Sequence, residues 1–134
     1  MSLLCMRCLL VLSETASVVA CSDYLSVHGY SIDSCSDLDE GEALARFREY
    51  DCVIADLQRH GPAVRQAARL IELCRTRNPA VVPVVLTTTD TVGDLGMQSV
   101  VAFMKPVPLR AIVDAVEEAA RATSAHTPSL SSHH

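Results

Sequence analysis

The stretch Asp51-Cys52-Val53-Ile54-Ala55-Asp56-Leu57-Gln58-Arg59-His60-Gly61 constrains the fold more than any other part of the chain. Residues 52–55 carry no polar side chain, so the run reads as a strand buried on both faces, which is the habit of parallel sheets. It delivers one carboxylate, Asp56, to its carboxyl end and then breaks at His60-Gly61. In open α/β sheets ligands and chemistry sit just beyond the carboxyl ends of the strands. Asp56 is therefore a candidate functional group if the rest of the chain brings partners to it.

The flanking sequence repeats the same unit. Cys8-Leu9-Leu10-Val11-Leu12 is a second apolar run, followed by Ser13-Glu14-Thr15; Thr15 or Ser17 can cap the next helix. Val18, Cys21, Leu25 and His28 keep helical spacing, and Gly29 stops the helix as a C′ residue. Residues 30–35 form a shorter, more polar strand near or at the edge of the sheet. Asp39 and Glu42 are spaced as a capping box, and Ala43, Leu44 and Phe47 offer an apolar face for a second helix. After the central strand, Gly61-Pro62 opens a third helix, because proline is at home in a first turn. Val64, Ala67, Ala68, Ile71 and Cys74 line one side of it, Arg65, Arg69, Glu72 and Arg75 solvate the other, and Asn78-Pro79 ends it.

Residues 81–86 are the fourth strand, leading into Thr87-Thr88-Thr89-Asp90. Residues 91–98 contain Gly93 and Gly96 and little apolar periodicity, so the fourth helix is expected to be short or missing. Residues 100–104 are a fifth strand, closed by Lys105-Pro106. Pro108 starts a last helix with Leu109, Ile112, Val113 and Val116 at i, i+3, i+4 and i+7. Alternating strands and helices predict an α/β fold: a doubly wound, five-stranded parallel sheet with helices on both faces, flavodoxin-like. Residues 1–122 read as one domain and residues 123–134 as a flexible C-terminal tail.

Composition removes several classes of function. A chain of 134 residues, 49% hydrophobic and 20% charged, is large enough to bury one core. No apolar run reaches the roughly 18 residues of a membrane span, so no membrane partner is expected. A net charge of −5 argues against direct nucleic acid binding. The six cysteines lie mostly within apolar runs, where cysteine behaves as a small hydrophobe, and that usage implies a reducing cytoplasm. Cys5-Met6-Arg7-Cys8 has CxxC spacing but leads into a strand, and no second pair completes a zinc site.

Four strand ends carry polar residues: Ser13-Glu14, Asp56, Thr87-Thr88 and Lys105. In a doubly wound sheet they share one edge. Two carboxylates with a few oxygen donors suit Mg²⁺, which takes one or two protein carboxylates and keeps several waters. Lys105 is the sole lysine among eleven basic residues; the rest are arginine. A lysine offers a compact point charge on a flexible stem, suited to a phosphoryl oxygen in a narrow pocket. Pro106 fixes the chain direction after it.

On these pieces the chain resembles a response-regulator receiver domain, the two-component, chemotaxis-type phosphoacceptor fold. The matching segments are Leu10-Val11-Leu12-Ser13-Glu14, Leu25 with His28-Gly29-Tyr30, Glu42-Ala43-Leu44, Asp51 through Leu57, Val84-Val85-Leu86-Thr87-Thr88 and Lys105-Pro106, in family order over nearly the whole chain. The resemblance implies that Asp56 is the phosphoacceptor, taking a phosphoryl group from a sensor histidine kinase or phosphotransfer protein. It implies Mg²⁺ held by Glu14, Asp56 and the main-chain carbonyl of Gln58. Thr87, or Thr88 one position on, would bond one phosphoryl oxygen and Lys105 another, with Ser13 and Pro106 supporting them. Output would pass by protein contact, a homodimer being one form of it, and the domain would not be an enzyme beyond its own phosphorylation and dephosphorylation.

The chain also departs from the family pattern. Ser13 stands where the first of two adjacent acids is usual, which removes a negative charge and weakens Mg²⁺ binding. Ala102 stands where an aromatic switch residue is common, and His60 replaces a frequent proline. These departures imply an alternative: a pseudo-receiver, an interaction module with this fold that phosphorylation does not switch. An Mg²⁺-dependent phosphohydrolase is a third class, but Asp56-Leu57-Gln58 lacks the second acid such enzymes use as general acid.

Overall fold

The computed structural model describes residues 6–12, 15–56, 61–87, 101–104 and 108–131. In chain order these form β1 (Met6–Val11), α1 (Thr15–Val27), β2 (Tyr30–Cys35), α2 (Leu38–Phe47), β3 (Cys52–Asp56), α3 (Gly61–Arg77), β4 (Val82–Thr87), β5 (Val101–Met104) and α4 (Leu109–Ser131). The strands make one five-stranded parallel sheet in the order β2-β1-β3-β4-β5. The expected doubly wound α/β fold is thus present, and residues 91–98, with the short or missing fourth helix expected there, lie outside the described residues.

Strand alternation sorts the core into two layers. Leu9, Val11, Val53, Ala55 and Val85 face one side and pack with Leu38 and Ala45 of α2 and Ala67, Leu70, Ile71 and Cys74 of α3. Cys8, Leu10, Leu12, Cys52, Ile54, Val84 and Leu86 face the other, against Cys21 and Leu25 of α1 and Ile112, Val113 and Val116 of α4. Because both faces are covered there, residues 8–11 of β1, 52–55 of β3 and 82–86 of β4 are apolar at every position. Pro83 sits inside β4 without breaking a ladder. The Val82 amide donates to Asp51 O at 2.9 Å, so Pro83 faces away from β3, and the pairing with β5 begins only at Val84↔Val101. Its missing N–H therefore costs the β3–β4 ladder no bond.

Local chemistry sets the element ends. Gly29 follows α1 with φ 90°, a left-handed conformation that glycine adopts without steric cost. Asp51 joins β3 to β1: its amide donates to Arg7 O at 2.7 Å while its Oδ2 accepts from the Arg7 amide at 2.8 Å. Asn78 closes the turn from α3 to β4, donating Nδ2 to Tyr50 O and accepting from the Ala80 amide.

Two expectations for α2 are corrected. The N-cap is Asp37, whose Oδ1 accepts from the Glu40 amide at 2.8 Å, and Glu40 Oε1 reaches back to the Ser36 amide at 3.1 Å; Asp39 instead accepts from Gln66 Nε2 of α3. The buried face is Leu38, Gly41, Glu42 and Ala45, leaving Ala43 exposed and Phe47 81% exposed. The reason is a close approach: a Cβ on Gly41 would lie 3.0 Å from Val11 Cγ2, so the helix settles onto the sheet through its glycine. Local apolarity alone favours Phe47. In α4, the helix continues to Ser131, past Arg121 where composition predicts a frayed tail; the alanines at 119, 120 and 122 are strong helix formers that carry it on.

Candidate functional site

Asp56 is the last residue of β3. The four residues before it, Cys52 to Ala55, are at most 1% exposed, and Asp56 itself is the first to emerge. Its strand lies between β1 and β4, and β1 is where the chain reverses direction across the sheet, toward β2 on one side and β3 on the other. The carboxyl ends of β1 and β3 thus flank the topological switch point, the crevice where this class of sheet binds ligands. The sheet interior anchors the backbone of Asp56 while its carboxylate stands at the rim.

Register defines what stands beside it. Asp56 pairs with Leu86, and Leu86 with Phe103. Val11 pairs with Ala55, which sets Leu12 next along β1. Thr87 ends β4, pairs with Met104 and is 3% exposed. Residues in register share a face and successive residues alternate. Asp56 therefore belongs to the α1/α4 side with Ile54 and Leu86, and Thr87 to the α2/α3 side with Val85. The fold brings the strand ends of Asp56 and Thr87 next to each other but on opposite faces. The choice between Thr87 and Thr88 left open by the sequence is thus a question of facing, which a run of three threonines does not reveal.

Of the other residues the sequence singles out, Ser13, Glu14, Gln58, Thr88, Lys105 and Pro106 lie outside the described residues. Their attachment points are described: Ser13 follows Leu12 of the β1 end, Gln58 lies two positions after Asp56, and Lys105 follows Met104, the last residue of β5. Among the described residues no group of three or more His, Cys, Asp or Glu side chains is placed to hold a metal. The cysteines read as core residues are so placed: Cys8, Cys21, Cys52 and Cys74 are buried free thiols, and Cys35 is a half-buried one. Burial pushes the Cys21 thiol up to about 11 and that of Cys74 to about 12, far from a reactive thiolate. Among the described residues no helix is long and apolar enough to cross a membrane.

No family model matches the chain, and no curated protein matches it in sequence. Its likeness appears in solved structures. A response regulator receiver protein from Sinorhizobium medicae WSM419 superposes with a TM-score of 0.78 at 17% identity, over 90% of this chain and 98% of that one. A CheY-like receiver domain protein from Methanospirillum hungatei JF-1 gives 0.74 at 16% identity, over 90% and 98%. A response regulator from Burkholderia pseudomallei, with a phosphorylated aspartic acid, a calcium ion and citrate, gives 0.67 at 20% identity, over 91% and 72%. The superpositions extend over nearly all of both chains: the chain has the fold of response-regulator receiver domains.

Proposed function

We propose that this chain is a receiver in two-component signalling that accepts a phosphoryl group on Asp56 from a sensor histidine kinase or phosphotransfer protein. The observation that carries the reading is the position of Asp56, a rim carboxylate at the carboxyl end of the central strand of a β2-β1-β3-β4-β5 sheet. In the transfer, an Asp56 carboxylate oxygen attacks phosphorus, the P–N bond to the donor imidazole breaks, and an acyl phosphate remains on Asp56. A protein contributes to such a step mainly by positioning and by neutralising charge. Lys105 would pair with one phosphoryl oxygen, and a hydroxyl from the Thr87-Thr88 pair would donate to another. The donors proposed for Mg²⁺ are Glu14, Asp56 and the main-chain carbonyl of Gln58. All are oxygens, a hard donor set that fits the ion, and Asp56 stands at the rim where such a set can close around it. When bound, Mg²⁺ offsets the charge of the carboxylates and the incoming phosphoryl group. The chain acts as a phosphoacceptor and not as a turnover enzyme, and its output passes through protein contact.

Incubation with acetyl phosphate and Mg²⁺, followed by intact mass measurement, tests the reading. One added phosphoryl group in the wild type and none in Asp56→Asn is the expected result. No uptake by the wild type, or equal uptake by Asp56→Asn, rejects it.

Ser13 and Ala102 support a second reading, a pseudo-receiver with an intact fold and no phosphorylation switch. It predicts that Asp56→Asn leaves partner affinity unchanged in the presence of phosphodonor and Mg²⁺. The receiver reading predicts that affinity changes in the wild type alone.

A further inference from the structure

The two edges of the sheet are not alike. β5 has four residues and β2 has six, and among the described residues β2 pairs with β1 alone. An open edge is a template for another strand, and proteins blunt it by short length, lysine, proline or a bulge. β5 is short. β2, Tyr30-Ser31-Ile32-Asp33-Ser34-Cys35, has no lysine or proline and pairs one to one with β1, without a bulge. Its one charged residue, Asp33, is already engaged within the chain, by the Tyr50 hydroxyl at 2.7 Å and Arg48 Nη1 at 3.3 Å.

The helices beside β2 carry a second, independent mark. α1 and α2 pack on its opposite faces. Among the described residues the exposed large hydrophobic side chains are Val19, Val27 and Phe47, and all three belong to these two helices, Val27 at 85% exposure and Phe47 at 81%. On α2 the contacts fix the direction. Asp39 and Glu42 reach α3 through Gln66 and Arg69, so Glu40, Leu44 and Phe47 lie on the other flank, away from α3 and toward the β2 edge. Arg48, half exposed and bonded to Asp33 of β2, ends that flank. Read from its amino end the flank runs acid, apolar, base. An antiparallel copy of itself sets Glu40 of each chain toward Arg48 of the other and the apolar middles together.

We propose that β2 and its flanking helices form a homodimer interface, with β2 paired antiparallel to β2 of a second copy in one ten-stranded sheet. The interface is isologous, since a twofold axis across the sheet makes each surface its own complement. A stable interface covers about 800 Å² per partner. A six-residue strand edge offers a fraction of that, and the apolar flanks of α1 and α2 extend it on both faces. Antiparallel joining points the two carboxyl edges in opposite directions, so each Asp56 rim stays open. The association does not depend on phosphorylation at Asp56.

Sedimentation velocity of the unphosphorylated full chain, without phosphodonor, from about 5 to about 500 µM, tests the proposal; a monomer–dimer equilibrium with Kd on the order of 10 µM is expected. Amide spectra of ¹⁵N-labelled protein over the same range should shift at Val27, Ser31, Ile32, Ser34, Ala43 and Phe47. Phe47→Asp and Val27→Asp, both at exposed positions, should each weaken the dimer at least about tenfold with an unchanged urea midpoint. A monomer throughout the range overturns the proposal. So do assemblies that grow beyond two chains, shifts confined to β5 and α4, or a Phe47→Asp protein that dimerises like the wild type.

Discussion

Asp56 and Thr87 end neighbouring strands, yet the register of Asp56 with Leu86 puts their side chains on opposite faces of the sheet. Thr87 is 3% exposed on the α2/α3 side. If the hydroxyl that serves Asp56 must share its face, Thr87→Val leaves the initial rate of acetyl phosphate labelling within about twofold of wild type, and Thr88→Val carries a loss of tenfold or more, a barrier change of about 1.4 kcal/mol. The opposite ranking of the two variants assigns the role to Thr87. Labelling is followed by intact mass.

Glu42 is the one charged residue among the buried side chains described. It is 8% exposed, with its Oε2 accepting from Arg69 Nε at 3.0 Å and Arg46 at 3.9 Å from Oε1. Arg69 is largely exposed, so solvent screens the pair, and its value lies between that of a surface and a buried bridge. Arg69→Ala is expected to destabilise by about 1–2 kcal/mol and Glu42→Gln by about 1 kcal/mol. Urea denaturation of both single variants and the double should give a coupling of at least about 0.5 kcal/mol. Strict additivity would show that the bridge contributes nothing to holding α2 on α3.

Two glycines are irreplaceable for different reasons. A Cβ on Gly29 would meet nothing within 4 Å, but φ is +90°, so Gly29→Ala should destabilise by about 1 kcal/mol through backbone strain alone. Gly41 is helical, and alanine there gains about 1 kcal/mol of helix propensity. Against this gain, its Cβ would stand 3.0 Å from Val11 Cγ2 and 3.4 Å from Leu70 Cδ2, both in the core. Overpacking of about 1–3 kcal/mol should win, so Gly41→Ala is expected to be net destabilising. A stabilised Gly41→Ala protein in a chemical melt would show that Val11 and Leu70 can yield.

The buried thiols predict a loss of stability in base. In the folded protein burial raises Cys21 from 9.0 to about 11 and Cys74 from 9.0 to about 12. A group whose folded value is raised binds its proton more tightly in the native state. Its contribution is therefore complete below pH 9.0, where both states are protonated, and is lost as pH rises toward 11 and 12. Unfolding free energy from urea titrations should fall steadily above pH 9.0, and Cys21→Ala with Cys74→Ala should flatten that slope. A slope unchanged in the double variant would assign it to other groups.

The same burial predicts selective alkylation. At pH 8 the native protein should leave Cys8, Cys21, Cys52 and Cys74 unmodified by iodoacetamide over a time in which the urea-unfolded chain reacts at each of them. Peptide mass mapping reads the result. Rapid labelling of Cys8 or Cys52 in the folded state would mean that the central strands open.

Where a residue's position depended on its own strand or helix, the chain was readable in advance. Residues 52–55 announce a strand buried on both faces because no polar side chain can be tolerated there, and Asp56 ends it because a carboxylate can be tolerated only at the rim. Gly29, Pro62 and Asn78 mark element boundaries through backbone chemistry that acts within a few residues. The apolar spacings of α1 and α4 likewise named Cys21, Leu25, Ile112, Val113 and Val116, all buried in the structure.

Tertiary structure decided whatever needed two elements at once. Phe47 is the largest apolar side chain of α2, yet it is 81% exposed, because the helix docks through Gly41 against Val11 and Leu70. Asp37 and not Asp39 caps that helix, since Asp39 is engaged by Gln66 across the α2–α3 contact. The strand order β2-β1-β3-β4-β5 and the register that separates the faces of Asp56 and Thr87 belong to pairings between strands distant in the chain. Side-chain periodicity tells which positions seek burial, and backbone chemistry tells where elements stop. Which surfaces meet is set by the closest approach that packing allows between elements, and no single segment carries that information.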